Sequence, residues 1–260
     1  MTYCVALRVE EGLVLCADTR TNAGVDNISV FSKLHVIEKP GERMIAIMCA
    51  GNLAVTQAVI TRVTEGIGET GEEGPDSLHT VPSMFEAARL VGKAVRSVRE
   101  EDAPSLSQEN VAFDASFLVA GQIAGRRLRL FQVYSAGNYI EATADTPYLQ
   151  IGEHKYGKPI LDRVAKYDTP VEDAVKLALI SMDSTLRSNL SVGMPIDLMT
   201  YRKDALHVEM RRRISEDDPY FRMIRERWSE ALRQAYRDLP GPNAPLDAPK
   251  PSGGGRLFGP

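Results

Sequence analysis

Thr2-Tyr3-Cys4-Val5-Ala6-Leu7-Arg8-Val9 is the stretch on which the fold of this chain turns. Aromatic, β-branched and aliphatic residues follow one another with only Arg8 as a charged interruption, the pattern of a strand covered on both faces. The stretch stands directly behind Met1. Methionine ahead of a small residue is commonly removed, and the chain then begins on a threonine. That puts an α-amine, with a reference pKa of roughly 7.7–8.0, on the same residue as a hydroxyl. A threonine hydroxyl alone is a weak nucleophile, and a terminal amine beside it is one of the recognised bases that activate it. Thr2 is therefore a candidate nucleophile at the head of a buried strand.

The neighbouring segments predict a β-rich core. Residues 13–17 bring the chain back after Glu10-Glu11-Gly12, a β-hairpin. Residues 28–38 and 43–49 flank Lys39-Pro40-Gly41-Glu42 and predict a second hairpin. Asn52 is placed to cap a helix carrying Leu53, Val55, Ala58, Val59, Ile60 and Val63 at helical spacing. An acidic, glycine-rich loop over 66–75 leads to a second helix over 83–99, with Met84, Ala87, Ala88, Val91 and Val95 on one face. Strands are expected at 112–120, 127–134 and 139–143. Helices follow at 156–165 and 171–186, the latter behind Thr169-Pro170, a cap followed by a first-turn proline. Strands at 197–202 and 205–213 precede an amphipathic helix over 219–239, striped with Phe221, Ile224, Trp228, Leu232 and Tyr236.

Hairpins alternating with helix pairs do not build a doubly wound parallel sheet, which needs single crossover helices. They build an α+β fold in which two antiparallel sheets stack face to face and helices cover both outer faces. The expected organisation is one domain over 1–214, a C-terminal helix over 215–240 packed on it or on a neighbouring subunit, and a disordered proline- and glycine-rich tail over 241–260.

Composition narrows the function. The 260 residues are 43% apolar and 25% charged, ordinary values for a globular protein. A net charge of -4 offers no basic surface for a nucleic-acid partner. No uninterrupted apolar run is long enough to span a bilayer, and the start does not read as a signal peptide. The 3 cysteines, Cys4, Cys16 and Cys49, lie in apolar surroundings and are expected to be reduced, which points to the cytoplasm. The 4 histidines are scattered, so no metal ligand set and no cofactor are assigned.

The residues around the expected end of the first hairpin carry the chemistry. A hairpin running out from Thr2 and back brings Asp18 beside the terminus. Lys33 interrupts an apolar run, and a lysine near the terminal amine lowers its pKa by like-charge repulsion while favouring the ionised threonine oxygen. Asp18 neutralises and orients that lysine. Ala50-Gly51-Asn52 puts the Gly51 N–H at a helix start, where it can hold an oxyanion. Taken singly, each has a plainer role: a turn aspartate, a solvent-facing strand lysine, a glycine turn. Their joint spacing from an N-terminal threonine is what points to catalysis.

That set resembles the amino-terminal part of proteasome β-type subunits, members of the N-terminal nucleophile hydrolases. The matching residues are Thr2, Asp18-Thr19-Arg20, Thr21-Asn22-Ala23-Gly24, Lys33 and Ala50-Gly51. Thr21-Asn22-Ala23-Gly24-Val25-Asp26-Asn27 and Ser188-Asn189-Leu190-Ser191-Val192-Gly193 are most similar to the bacterial proteasome-related family called Anbu. The resemblance implies a four-layer αββα sandwich, a Thr2 nucleophile hydrolysing peptide or amide bonds, and identical subunits assembled in a ring or open spiral. An unfoldase or operon-linked partner is left open. The resemblance also implies a supporting role at the amine for Asp183. It departs from the proteasome pattern where Ile151-Gly152-Glu153-His154 replaces a Ser-Gly and Leu186-Arg187-Ser188 replaces a Ser-Gly-Gly; the proton-shuttling serine is either lost or moved to Ser188 or Ser191. Arg20 is a further supporting residue. Thr21, Phe31, Cys49 and Leu53 are expected to form a modest, mostly apolar substrate pocket. Two alternatives stand beside a threonine peptidase: a small-molecule amidase of the same chemistry, and an inert ring-forming scaffold.

Overall fold

The computed structural model describes residues 1–22, 28–67 and 76–242. Two five-stranded antiparallel sheets form its centre. With strands and helices numbered along the chain, the first sheet contains β1 (Tyr3–Val9), β2 (Gly12–Asp18), β10 (Tyr148–Gly152), β11 (Ile196–Arg202) and β12 (Met210–Ile214), in the order β10-β1-β2-β11-β12. The second contains β5 (Leu34–Lys39), β6 (Arg43–Gly51), β7 (Ala115–Ile123), β8 (Arg129–Val133) and β9 (Tyr139–Glu141), in sequence order. A small hairpin, β3 (Arg20–Asn22) and β4 (Ile28–Val30), stands apart from both.

The strand period of two sorts the apolar residues into layers. On β1, Tyr3, Val5, Leu7 and Val9 face a core shared with α4, whereas Cys4 and Ala6 face the opposite sheet. On β6, Ile45, Ile47 and Cys49 face α1 and α2, whereas Met44, Ala46, Met48 and Ala50 meet the first sheet. Three apolar layers thus separate four layers of secondary structure. Helices α1 (Leu53–Glu65) and α2 (Met84–Gln108) cover the second sheet; α3 (Lys158–Val164), α4 (Val171–Ser188) and α5 (Pro219–Asp238) cover the first. Central strands buried on both faces account for the near-continuous apolar runs at Tyr3–Val9 and Arg43–Gly51. No described helix is long and apolar enough to cross a membrane.

The α+β sandwich is the architecture that the sequence predicts, with several local differences. The expected strand over 28–38 is broken. Lys33 lies between β4 and β5, where its ammonium is turned toward the end of β2. Strand β10 was not expected. It is a short edge strand between Pro147 and α3, paired with β1 from Tyr3↔Gly152 to Leu7↔Tyr148. Helix α2 runs past the expected end at 99, through Pro104, held in part by Arg62 reaching Ser97 and Glu101. The last hairpin turns over a longer stretch than Lys203-Asp204, with Asp204 and Leu206 at positive φ, and β12 begins only at Met210. Helix α4 is capped from a distance: the Glu11 carboxylate accepts from Val171 N at 3.2 Å, while the Thr169 hydroxyl accepts from Lys166 N instead. The N-terminal end of α5 packs on the α4 side of its own domain through Phe221 and Ile224. Residues 23–27 of the quoted Anbu-like stretch, 68–75 of the acidic loop and 243–260 of the expected tail lie outside the described residues.

Candidate active site

The site is built where β1 begins. The β1–β2 register pairs Cys4 with Ala17, so Asp18 arrives beside Tyr3. Tyr3 N donates to Asp18 Oδ1 at 3.0 Å, and Gly193 N, from the segment between α4 and β11, donates to Oδ2 at 3.2 Å. Lys33 Nζ lies 2.7 Å from the same Oδ1 and 2.7 Å from the carbonyl oxygen of Arg20. Asp18 is fully buried and Lys33 nearly so. Burial pushes the Asp18 carboxyl above the ordinary aspartate value, and the Lys33 charge and hydrogen bond pull against that rise.

The α4–β11 segment is fastened to this corner. The Thr19 hydroxyl donates to Pro195 O at 2.7 Å and Arg20 Nη1 to Leu190 O at 2.9 Å. Thr2 itself is buried, and its carbonyl accepts from Glu153 N at 2.6 Å. Gly152 makes that approach feasible. It sits at φ +80°, and a Cβ there would stand 2.0 Å from the Thr2 carbonyl oxygen.

The facing wall is the junction of β6 with α1. Gly51 has φ +118°, and a Cβ on it would lie 2.3 Å from Asp114 O, so this corner admits only glycine. Asn52 caps α1 as expected, accepting from Ala54 N at 3.0 Å and Val55 N at 3.4 Å. Cys49 N donates to Lys33 O at 3.1 Å. Strand alternation turns the Gly51 N–H toward the same edge, past the start of β5. Burial pushes the Cys49 thiol up to about 11, with a Thr56 hydrogen bond opposing the rise.

A cavity of about 740 Å³ opens between these walls. Thr2, Thr21, Lys33, Cys49, Gly51 and Leu53 all line it, so six residues named from the sequence share one space. The lining also holds polar and charged groups that the sequence did not assign to it, Asp114, Ser116, Gln132, Gln150, His154 and Lys158, beside apolar Ala50, Tyr148, Leu149 and Ile151. Phe31 is not among the lining residues; it is partly exposed beyond β4 and is held by its N–H to Thr19 O at 2.9 Å. Ser188, at the exposed end of α4, and Ser191, whose N–H donates to Asn189 Oδ1 at 2.9 Å, also stand outside the lining. Arg20, bonded to the Leu190 carbonyl, is not among the lining residues.

Asp183 is placed differently from the expectation. Its buried carboxylate accepts from Arg187 Nε at 3.1 Å and from Arg225 Nε at 2.8 Å. One arginine is a turn further along α4 and the other comes from α5, so the bonds of this acid tie two helices together and none of them runs to Thr2. Conversely, sequence reasoning gave no role to Glu153 and Asn189. Glu153 is buried, its Oε1 accepts from Lys155 N at 3.2 Å and its Oε2 from Asn189 Nδ2 at 3.0 Å. The signal that could have found Glu153 was its place in Ile151-Gly152-Glu153-His154, the stretch that departs from the Ser-Gly of the proteasome pattern.

No protein-family model matches the chain, and no curated protein does. Solved structures do. A Gly-1 mutant of Anbu from Hyphomicrobium sp. strain MC1 is 53% identical, with a TM-score of 0.84, over 93% of this chain and 99% of that one. Anbu from Yersinia bercovieri, described as an ancestral beta-subunit, is 50% identical with a TM-score of 0.83, over 92% and 98%. The helical assembly of the Anbu complex from Pseudomonas aeruginosa contains a chain 48% identical, with a TM-score of 0.86, over 92% and 98%.

Proposed function

The chain belongs to the Anbu family of proteasome-related proteins, and on that premise we propose that it is a threonine-type hydrolase working within an assembly of its own copies. Loss of Met1 frees the Thr2 amine. As Thr2 Oγ1 attacks a peptide or amide carbonyl, the amine takes its proton and later returns it to the leaving nitrogen. The Lys33 ammonium favours the ionised threonine oxygen and restrains protonation of the neighbouring amine. Asp18 fixes the lysine in place. The Gly51 N–H meets the developing oxyanion in this reading, and water then releases the acyl group from Thr2.

The observation that carries this reading is the buried Asp18–Lys33 pair, 2.7 Å apart, with the lysine opening onto the cavity that Thr2 lines. A buried ion pair stabilises a fold no better than apolar residues of the same volume, and often less well. Its presence beside the head of β1 is accounted for by what the charge does to Thr2. Assembly into an open spiral of identical subunits is supported by the helical Pseudomonas aeruginosa complex. A cytoplasmic setting is supported by the three buried, unpaired cysteines.

Intact-mass measurement with a threonine-directed β-lactone tests the proposal. The expected result is a chain lacking Met1 that gains one adduct, with no adduct on Thr2→Ala. Retained Met1, or no adduct on the wild type, would favour the inert scaffold. The polar and charged groups in the lining, Asp114, Gln132, Gln150 and Lys158 among them, favour a second reading, an amidase acting on a small polar substrate. An adduct on Thr2 without any peptide cleavage would select it.

A further inference from the structure

Four acidic side chains are buried among the described residues: Asp18, Glu153, Asp183 and Asp197. Three of them hold a cation. Asp18 has Lys33 at 2.7 Å, Asp183 has Arg225 at 2.8 Å, and Asp197 has Arg213 at 2.8 Å. Glu153, only 7% exposed, accepts from two neutral donors, Lys155 N and Asn189 Nδ2, and forms no ion pair with any described residue. A buried carboxylate without a counter-charge is costly, and proteins ordinarily relieve that cost with a cation or with protonation.

The position of Glu153 indicates which cation is missing. Its own N–H holds the Thr2 carbonyl at 2.6 Å, and Gly152 packs its backbone against the same residue. While Met1 is attached, the nitrogen of Thr2 is a neutral amide. Hydrolysis of the Met1–Thr2 bond, one water consumed and methionine released, turns it into an amine that binds a proton. We propose that Glu153 is a positioning residue for Thr2: its carboxylate is the counter-charge for the amino terminus created when Met1 leaves. Asn189 braces that carboxylate at 3.0 Å, and Asn189 Oδ1 accepts from Ser191 N at 2.9 Å, in the same segment whose Gly193 N binds Asp18. One connected set of bonds thus holds the carbonyl of Thr2 from one side and the Asp18–Lys33 pair from the other.

The inference rests on the proposed maturation of Thr2, and it assigns the balance of charge there. The titratable and charged groups around this end of β1 are Tyr3 and Cys4 on the strand itself, Cys16, Asp18 and Arg20 on β2 and β3, Lys33 before β5, Cys49 on β6, and Lys155, two positions beyond Glu153. Asp114 precedes β7, His154 and Lys158 lie beyond β10, and Asp183 and Arg187 are on α4. Lys33 is spoken for by Asp18, Lys158 by Asp162, and Arg187 by Asp183. Arg20 is turned to the Leu190 carbonyl. Lys33 lowers the affinity of the new amine for its proton and Glu153 raises it. The two together keep a base that both accepts and returns a proton near neutral pH.

The test reads the amine directly. Full-length chain freed of Met1 is reductively dimethylated at its amino terminus with ¹³C-formaldehyde and a borane reductant and titrated by NMR, as wild type, Glu153→Gln and Glu153→Asp. An opposite charge within a few ångströms shifts a pKa by about 1–3 units, so the terminal amine of Glu153→Gln should titrate about one unit lower, and Glu153→Asp should recover most of that drop. Glu153→Ala, which opens the site without inserting an amide, should show the same fall should glutamine disturb Asn189. Equal amine pKa values in folded wild type and both neutral variants would overturn the proposal, as would a Met1 that resists methionine aminopeptidase. A shifted amine together with no β-lactone adduct would leave this inference standing and remove the hydrolase reading instead.

Discussion

Asp18 and Asp183 are both buried aspartates bonded to basic side chains, and they do different work. Asp18 meets Lys33, whose other face opens on the Thr2 cavity. Asp183 meets Arg187 and Arg225, whose side chains are 52% and 35% exposed and lead away from the cavity to solvent. The acid is alike in the two cases; the surroundings of the cation differ. On the proposed function, a buried carboxylate serves the chemistry where its partner faces a space that a substrate can enter. Where the partner snorkels to solvent, the pair is a fastening between helices.

The comparison breaks most visibly at Lys33. Lys33→Ala leaves Asp18 buried without its cation, which should lower unfolding stability by about 3–5 kcal/mol and reduce β-lactone labelling of Thr2 by about a thousandfold or more. Denaturant melts and time-resolved intact mass read the two effects. A variant that labels at the wild-type rate would strip the pair of its catalytic meaning.

Arg225→Ala should behave in the opposite sense. Its guanidinium is about a third exposed and Arg187 remains, so a stability loss of about 1 kcal/mol is expected, with α5 loosened and Thr2 labelling unchanged. Denaturant melts and proteolysis within Pro219–Asp238 would follow the first, and adduct mass the second. Loss of labelling in a folded Arg225→Ala chain would return Asp183 to the active site.

The smallest effect concerns the thiols. Burial raises Cys49 to about 11, above the unfolded value of about 8.5. A raised folded value means that the neutral thiol supports the fold fully below the unfolded pKa, and that this support fades as the pH climbs toward the folded one. Iodoacetamide should therefore leave the native chain unmodified at pH 8, and thermal midpoints should fall slightly between pH 9 and 11. Ready alkylation at pH 8 would mean that the β6–α1 corner opens in solution.

Much of the site was legible because its members sit at the ends of regular elements. Thr2, Asp18 and Gly51 fall where a strand starts or stops, and hairpin geometry alone carries Asp18 back to Thr2. Lys33 showed itself as a charge in an apolar run, although the chain leaves the sheet there to deliver the ammonium. Phe31 failed for the same reason: with the strand broken at Lys33, period-two alternation no longer says which way position 31 faces. Strand β10 escaped notice because Tyr148–Gly152 is too short for periodicity to separate it from loop.

By itself the sequence determined the four layers, because residues alternating along one strand are neighbours whatever the rest of the chain does. It likewise determined that a threonine, an aspartate and a lysine would meet. The fate of each remaining charge was decided only by tertiary structure. Asp183 meets Arg225, 42 positions away, because α5 folds back on α4. Glu153 reaches Thr2 because an edge strand closes on β1. Neither contact leaves a local pattern, since which cation a buried acid finds depends on the long-range closure of the chain rather than on the residues beside it.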